Sequence, residues 1–154
     1  IIDINGNLNN TAVIFSGSNL QLDANNIINS GTGSIGALNT LTLNSDNNID
    51  NHGTLFAERN LNINASATFL NERDPSSSTY GTVNSNGNIA IQANNFTNHS
   101  ILDAVQNVII KVEKVVNEIF GGDDDSDDDD DFGFDDMEDG FDEEDFSNFD
   151  DFEI

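Results

Sequence analysis

The sequence predicts an all-β chain: a parallel β-solenoid of about four to five coils over residues 1–99, an amphipathic helix over 100–120, and a disordered acidic tail over 121–154. Three observations carry this prediction. A unit of about 20 residues repeats along the first hundred positions, and repeats of that length mark stacked architectures. Inside each unit apolar and polar residues alternate with a period of two, which belongs to half-buried strands. After Gly121-Gly122 the composition changes from Asn-rich and weakly charged to strongly acidic.

The repeat is visible without gaps. Gly53-Thr54-Leu55-Phe56-Ala57 and Leu61-Asn62-Ile63 lie over Gly81-Thr82-Val83-Asn84-Ser85 and Ile89-Ala90-Ile91. Gly33-Ser34-Ile35-Gly36-Ala37 with Leu41 and Leu43 falls in the same frame, as does Ala12-Val13-Ile14-Phe15-Ser16 with Leu20 and Leu22. Each apolar pair is followed by a small residue (Ala24, Ser45, Ala65, Ala93), a second apolar site (Ile27, Ile49, Phe69, Phe96) and an asparagine (Asn29, Asn51, Asn71, Asn98). Successive pairs start 21 residues apart from Leu20 to Leu41, 20 from Leu41 to Leu61 and 28 from Leu61 to Ile89, so one coil carries an insertion.

One such unit cannot bury its own inner face, so the units must stack. Stacking points Leu20, Leu22, Ile35, Leu41, Leu43, Ile49, Leu55, Leu61, Ile63 and Phe69 inward. It also sets the repeated asparagines at bends, where each amide can bond its equivalent one coil away.

Residues 100–120 fit two patterns. Ser100 to Ile110 can be laid on the Gly53 frame as another coil. Ile101, Val105, Val108, Val112, Val115 and Ile119 also recur at spacings of 4, 3, 4, 3 and 4, the signature of an amphipathic helix. Ser100 and Asp103 make a start resembling a capping box and Gly121-Gly122 a stop, so the expectation is a helix that caps the last coil.

Charge and composition remove several function classes. The 154 residues carry 29 acidic and 4 basic side chains, a formal net charge of −25. Nineteen of the acids lie in 123–154, where there is no Lys or Arg. A chain of this sign is not expected to bind nucleic acid, whose affinity comes from cations replacing counterions. With no cysteine there is neither a disulfide framework nor a thiolate metal site. No apolar run of about 18 residues is long enough for a membrane span. No signal peptide is visible, and the start at Ile1, already inside the repeat, is read as a cut edge.

No catalytic, cofactor or metal site is expected. Asp3, Asp23, Asp46 and Asp50 read as solvated, and His52 and His99 as surface turn residues about 10 Å apart, too far to share an ion. The acidic tail does not match a calcium loop, because the Asp135 frame puts Met137 at position 3 and Phe146 at position 12. Two segments remain as contact candidates. The insertion at 72–80 offers a surface loop with Arg73, Asp74 and Tyr80, and Arg and Tyr dominate contact energy where a surface binds. The tail offers Phe132, Phe134, Phe141, Phe146, Phe149 and Phe152 among carboxylates, anchors suited to a basic, apolar groove on a partner protein.

The pattern L-x-L-x-A-x-x-I-x-N-x-G-x-I/L-x-A, present at Leu20 to Ala37 and again at Leu41 to Ala57, resembles the haemagglutinin repeats of the filamentous haemagglutinin family. That family includes the stalks of contact-dependent growth-inhibition effectors. The resemblance covers about residues 1 to 100 and identifies no active site. It implies a right-handed β-helix, part of a long exoprotein exported through an outer-membrane transporter by two-partner secretion. The implied location is outside a Gram-negative cell, secreted or at its surface. The implied partner is a receptor, protein or glycan, on a host or neighbouring cell. The expected function is a rigid adhesin stalk without enzymatic activity. The other reading is a soluble interaction protein whose tail binds a basic partner.

Overall fold

A computed structural model describes residues 1–117. They form thirteen strands and no helix, wound as six stacked coils. The first coil holds β1 (Ile2–Asn10) and β2 (Val13–Ser16), and the second β3 (Leu20–Asn29) and β4 (Ser34–Ala37). The third holds β5 (Thr40–Ser45), β6 (Ile49–Asn51) and β7 (Thr54–Ala57). The fourth holds β8 (Asn60–Ala65), β9 (Thr68–Asn71) and β10 (Thr82–Ser85). β11 (Asn88–Asn98) and β12 (Ile101–Ala104) make the fifth, and β13 (Val108–Asn117) begins the sixth.

All strand pairs are parallel and join equivalent positions of neighbouring coils. One ladder runs β1, β3, β5, β8, β11, β13. A second joins the later halves of β3 and β11 through β6 and β9. The third runs β2, β4, β7, β10, β12. Alternation within each strand decides what is enclosed. Leu20, Leu41, Leu61 and Ile89 form one inner column, and Leu22, Leu43, Ile63 and Ile91 another, all 7% exposed or less. In a third column Phe69 and Phe96 stack face to face, ring centroids 5.2 Å apart. Each such side chain, removed from water, contributes roughly 1.5–3 kcal/mol.

The sequence expectation is corrected at 100–117. β12 pairs with β10 from Ile101 to Ala104, and β13 pairs with β11 at nine positions from Val108 to Asn117. The helical spacing is real, but the open edge of β11 decides the outcome. A helix would leave that edge's N–H and C=O groups unpaired, while a strand satisfies them and suits the β-branched Val108, Ile109, Ile110, Val112, Val115 and Val116. Ser100 is therefore no helix cap. The expected count of four to five coils rises to six, because residues at both ends of the repeat join the stack. Residues 118–120 of the expected helix, and the tail at 121–154 with its six phenylalanine anchors, lie outside the described residues.

Candidate functional site

The strongest concentration of unlike side chains lies where β9 turns into β10, and the repeat explains why. At this corner of every coil an asparagine turns inward. Asn10, Asn29, Asn51, Asn71 and Asn98 are all 8% exposed or less. Each Nδ2 donates to the Oδ1 of the next asparagine at 2.7–3.0 Å, ending at Asn117. Four of the amides also donate to a backbone carbonyl of the following coil, at Ser34, Thr54, Thr82 and Ile101. A buried amide costs free energy unless bonded, so the column closes its own accounts. The repeated asparagines thus form the expected ladder, to which the structure adds Asn10 and Asn117.

Beside the ladder runs a column of small residues: Ala12, Gly33, Gly53, Gly81 and Ser100, each preceding a residue paired in the third ladder. Glycine is required in its middle, since a Cβ on Gly53 would collide with the carbonyl oxygens of Gly33 and Ser30. At Ser100 a hydroxyl has entered the column, and its buried Oγ has no hydrogen-bond partner among the described residues.

Residues 72–80 leave this corner as a strap. Arg73 and Tyr80 form an antiparallel bridge. Asp74 N donates to Thr79 O at 2.9 Å and Gly81 N to Glu72 O at 3.0 Å, so the insertion is a hairpin with its own ladder. The Asp74 carboxylate organises its tip. It accepts the Ser76 hydroxyl at 2.6 Å, the Ser76 N–H at 2.8 Å and, from the second coil, the Gly31 N–H at 2.9 Å. These bonds hold its pKa below the ordinary carboxylate value, the Ser76 hydroxyl foremost. The Arg73 guanidinium lies 5.6 Å from the centre of the Tyr80 ring, a cation–π geometry, and its Nε donates to Ser77 O at 3.3 Å.

Beneath the strap the residues that follow three ladder asparagines stand in one column: His52, Glu72 and His99. The Glu72 carboxylate lies between the imidazoles, 3.8 Å from His52 Nδ1 and 3.9 Å from His99 Nδ1. The histidines do occupy turns, as expected, but His52 is more enclosed than a surface residue, 18% exposed. Among the described residues no three His, Cys, Asp or Glu side chains converge to hold a metal ion.

Asp50 also departs from its expected solvated state. On β6 its outward side chain stands between Ile28 and Leu70 of the neighbouring coils. Burial pushes its pKa up, partly opposed by the positive potential of His52.

Glu72, Arg73, Asp74, Pro75, Ser77 and His99 enclose a recess of about 410 Å³. A larger recess, about 550 Å³, lies at another corner between Asn44 and Glu113. It is lined by equivalent positions of four successive coils, Asp46, Lys111 and Glu113 among them, but it has no inserted loop beside it. The strap is therefore the candidate site, and its hairpin brings Arg73, Asp74 and Tyr80 together. Asp74 proves to anchor the loop, leaving Arg73 and Tyr80 as its displayed pair. Glu72, Ser76 and Gly31 were missed. That His52 and His99 share a column was legible, because each follows a ladder asparagine, whereas Glu72 between them was not. The reach of Asp74 to Gly31 has no sequence signal. Comparison with family models, curated proteins and solved structures yields no match for this chain.

Proposed function

We propose that residues 1–117 serve as a rigid stalk segment of a secreted or cell-surface exoprotein of the filamentous haemagglutinin type, with the strap as its displayed contact surface. The observation that carries this reading is the pinning of the strap. The Asp74 carboxylate ties the tip of a hairpin from the fourth coil to the Gly31 backbone of the second. Arg73 and Tyr80 are thereby held at the surface, with less loop entropy to lose on contact. Continuous ladders of backbone and asparagine hydrogen bonds favour a spacer, because no coil can bend without breaking bonds to two neighbours. The wider features of this reading, right-handed winding, export through an outer-membrane transporter and a cell-surface receptor, rest on the resemblance of the repeats.

The test is binding of the labelled full chain to intact bacterial and animal cells. Arg73→Ala with Tyr80→Ala is expected to lower saturable binding at least about tenfold, the effect of removing contact residues worth about 1.4 kcal/mol or more together. Circular dichroism of the variant is expected to match the parent. Equal binding by parent and variant would remove the strap from the contact surface.

A further inference from the structure

Among the described residues the half-buried carboxylates are Asp23, Asp50, Glu72 and Asp74. Three of them are occupied. Asp23 accepts the side-chain amides of Gln21 and Asn44, Asp74 accepts Ser76 and Gly31, and Glu72 lies between two imidazoles. Asp50 differs: it accepts no hydrogen bond from any described residue, and none of the chain's Lys and Arg side chains pairs with it. Only His52 acts on its charge. Asp50 belongs to the third of the six coils and has paired strands on either side, so its surroundings are set within the stack.

Those surroundings favour one kind of occupant. The outward column runs Asn9, Ile28, Asp50, Leu70, Thr97 and Val116, and Asp50 is the one charge in it. Strand spacing sets an aliphatic residue roughly 4.8 Å away on each side. Burial without a donor makes the ionised carboxyl costly, which is why its pKa is raised. A neutral contact leaves that cost in place and an anion adds to it, whereas a cation offsets it. The chain's net charge of −25 likewise draws cations and repels anions. A bare metal ion finds too few ligands, because among the described residues no three His, Cys, Asp or Glu side chains converge. Lys and Arg carry their charge on an apolar stem that lies along aliphatic surface while the head stays polar. Ile28 and Leu70 supply that surface beside the carboxylate.

We propose that Asp50, flanked by Ile28 and Leu70, is a docking point for a Lys or Arg side chain of a basic partner protein. The cationic head donates to the Asp50 carboxylate, and the stem covers Ile28 or Leu70. This surface is distinct from the strap, since Asp50 does not line the recess beneath it. The proposal therefore stands or falls separately from binding by Arg73 and Tyr80.

An NMR titration of the full chain with hexalysine tests it, with the peptide in excess over the 19 carboxylates of 123–154. At about 0.15 M NaCl exposed charges are screened beyond about 8 Å, and the residue-by-residue readout separates Asp50 from attraction elsewhere on the chain. The amide shifts of Ile28, Asp50 and Leu70 are expected to move together and saturate. Asp50→Asn keeps the size of the side chain and is expected to weaken that response at least about tenfold, the loss of a hydrogen bond to a charged group. Ile28→Thr keeps the carboxylate and is expected to weaken it about threefold through lost apolar contact. Hexalysine acetylated at every Nζ keeps the stems without the charge and is expected to move none of the three amides. Amides of Ile28, Asp50 and Leu70 that stay still with the parent chain overturn the proposal. So does a response that Asp50→Asn, Ile28→Thr or acetylation leaves unchanged.

Discussion

Gly31 and Asp74 are joined by one hydrogen bond, N–H to Oδ2 at 2.9 Å, across 43 positions of sequence and two coils of the stack. This bond fixes where the strap lies, and through the strap where Arg73 and Tyr80 are displayed.

Acid should release the strap before it unfolds the coils. The folded pKa of Asp74 is lowered, so its contribution is complete above the ordinary carboxylate value of 3.8 and is lost as pH falls through the lowered value. The amide shift of Gly31, followed by NMR, is expected to move in that acid range while the amides of β5 and β8 hold. Asp74→Asn should give the released spectrum at neutral pH. A Gly31 shift that ignores both acid and substitution would show that the carboxylate does not hold the strap.

Asp50 carries the opposite sign. Its pKa is raised, so charge is disfavoured in the folded state, and the penalty is present above the raised value and fades as pH falls toward 3.8. Asp50→Asn is expected to raise neutral-pH stability by about 0.5 kcal/mol, the scale of partly exposed sites. The gain should shrink in acid. Thermal melts of both proteins at pH 7 and pH 4 make the comparison, and an equal difference at both pH values would contradict the account.

The ladder should be most sensitive in the middle. Asn51→Ala removes the acceptor of Asn29 Nδ2 and the donors to Asn71 Oδ1 and Thr82 O. With buried groups left unsatisfied at about 1–3 kcal/mol each, a loss of at least about 2 kcal/mol is expected in urea unfolding. A change under about 0.5 kcal/mol would mean that water replaces the amide without cost.

Ser100 offers a gain. Its buried Oγ has no partner among the described residues, so Ser100→Ala is expected to stabilise by about 1 kcal/mol, the desolvation cost of an unmade bond. The same urea titration reads it, and a destabilised variant would show that the hydroxyl is bonded after all.

The core was legible because a period of two and a spacing of about 20 residues leave few alternatives: Leu61 and Ile63 can be enclosed together only if the units stack. The asparagine ladder was legible for the same reason. Residues 100–117 misled because one set of apolar positions fits both a helix stripe and a strand. Local pattern weighs these equally, and the choice falls to the neighbour. Asp50 was misread because its neighbours Ile28 and Leu70 are 22 and 20 residues away in sequence.

The sequence alone thus determined the coil, its inner columns and the corner asparagines, since each follows from a repeat in which every unit reports on all others. Tertiary structure alone decided that Val108 to Asn117 is a strand, that Asp74 reaches Gly31 and that Glu72 stands between two histidines. Those outcomes depend on which edge or carbonyl lies one coil away. A hydrogen bond left unmade there costs more than the local preferences that sequence records.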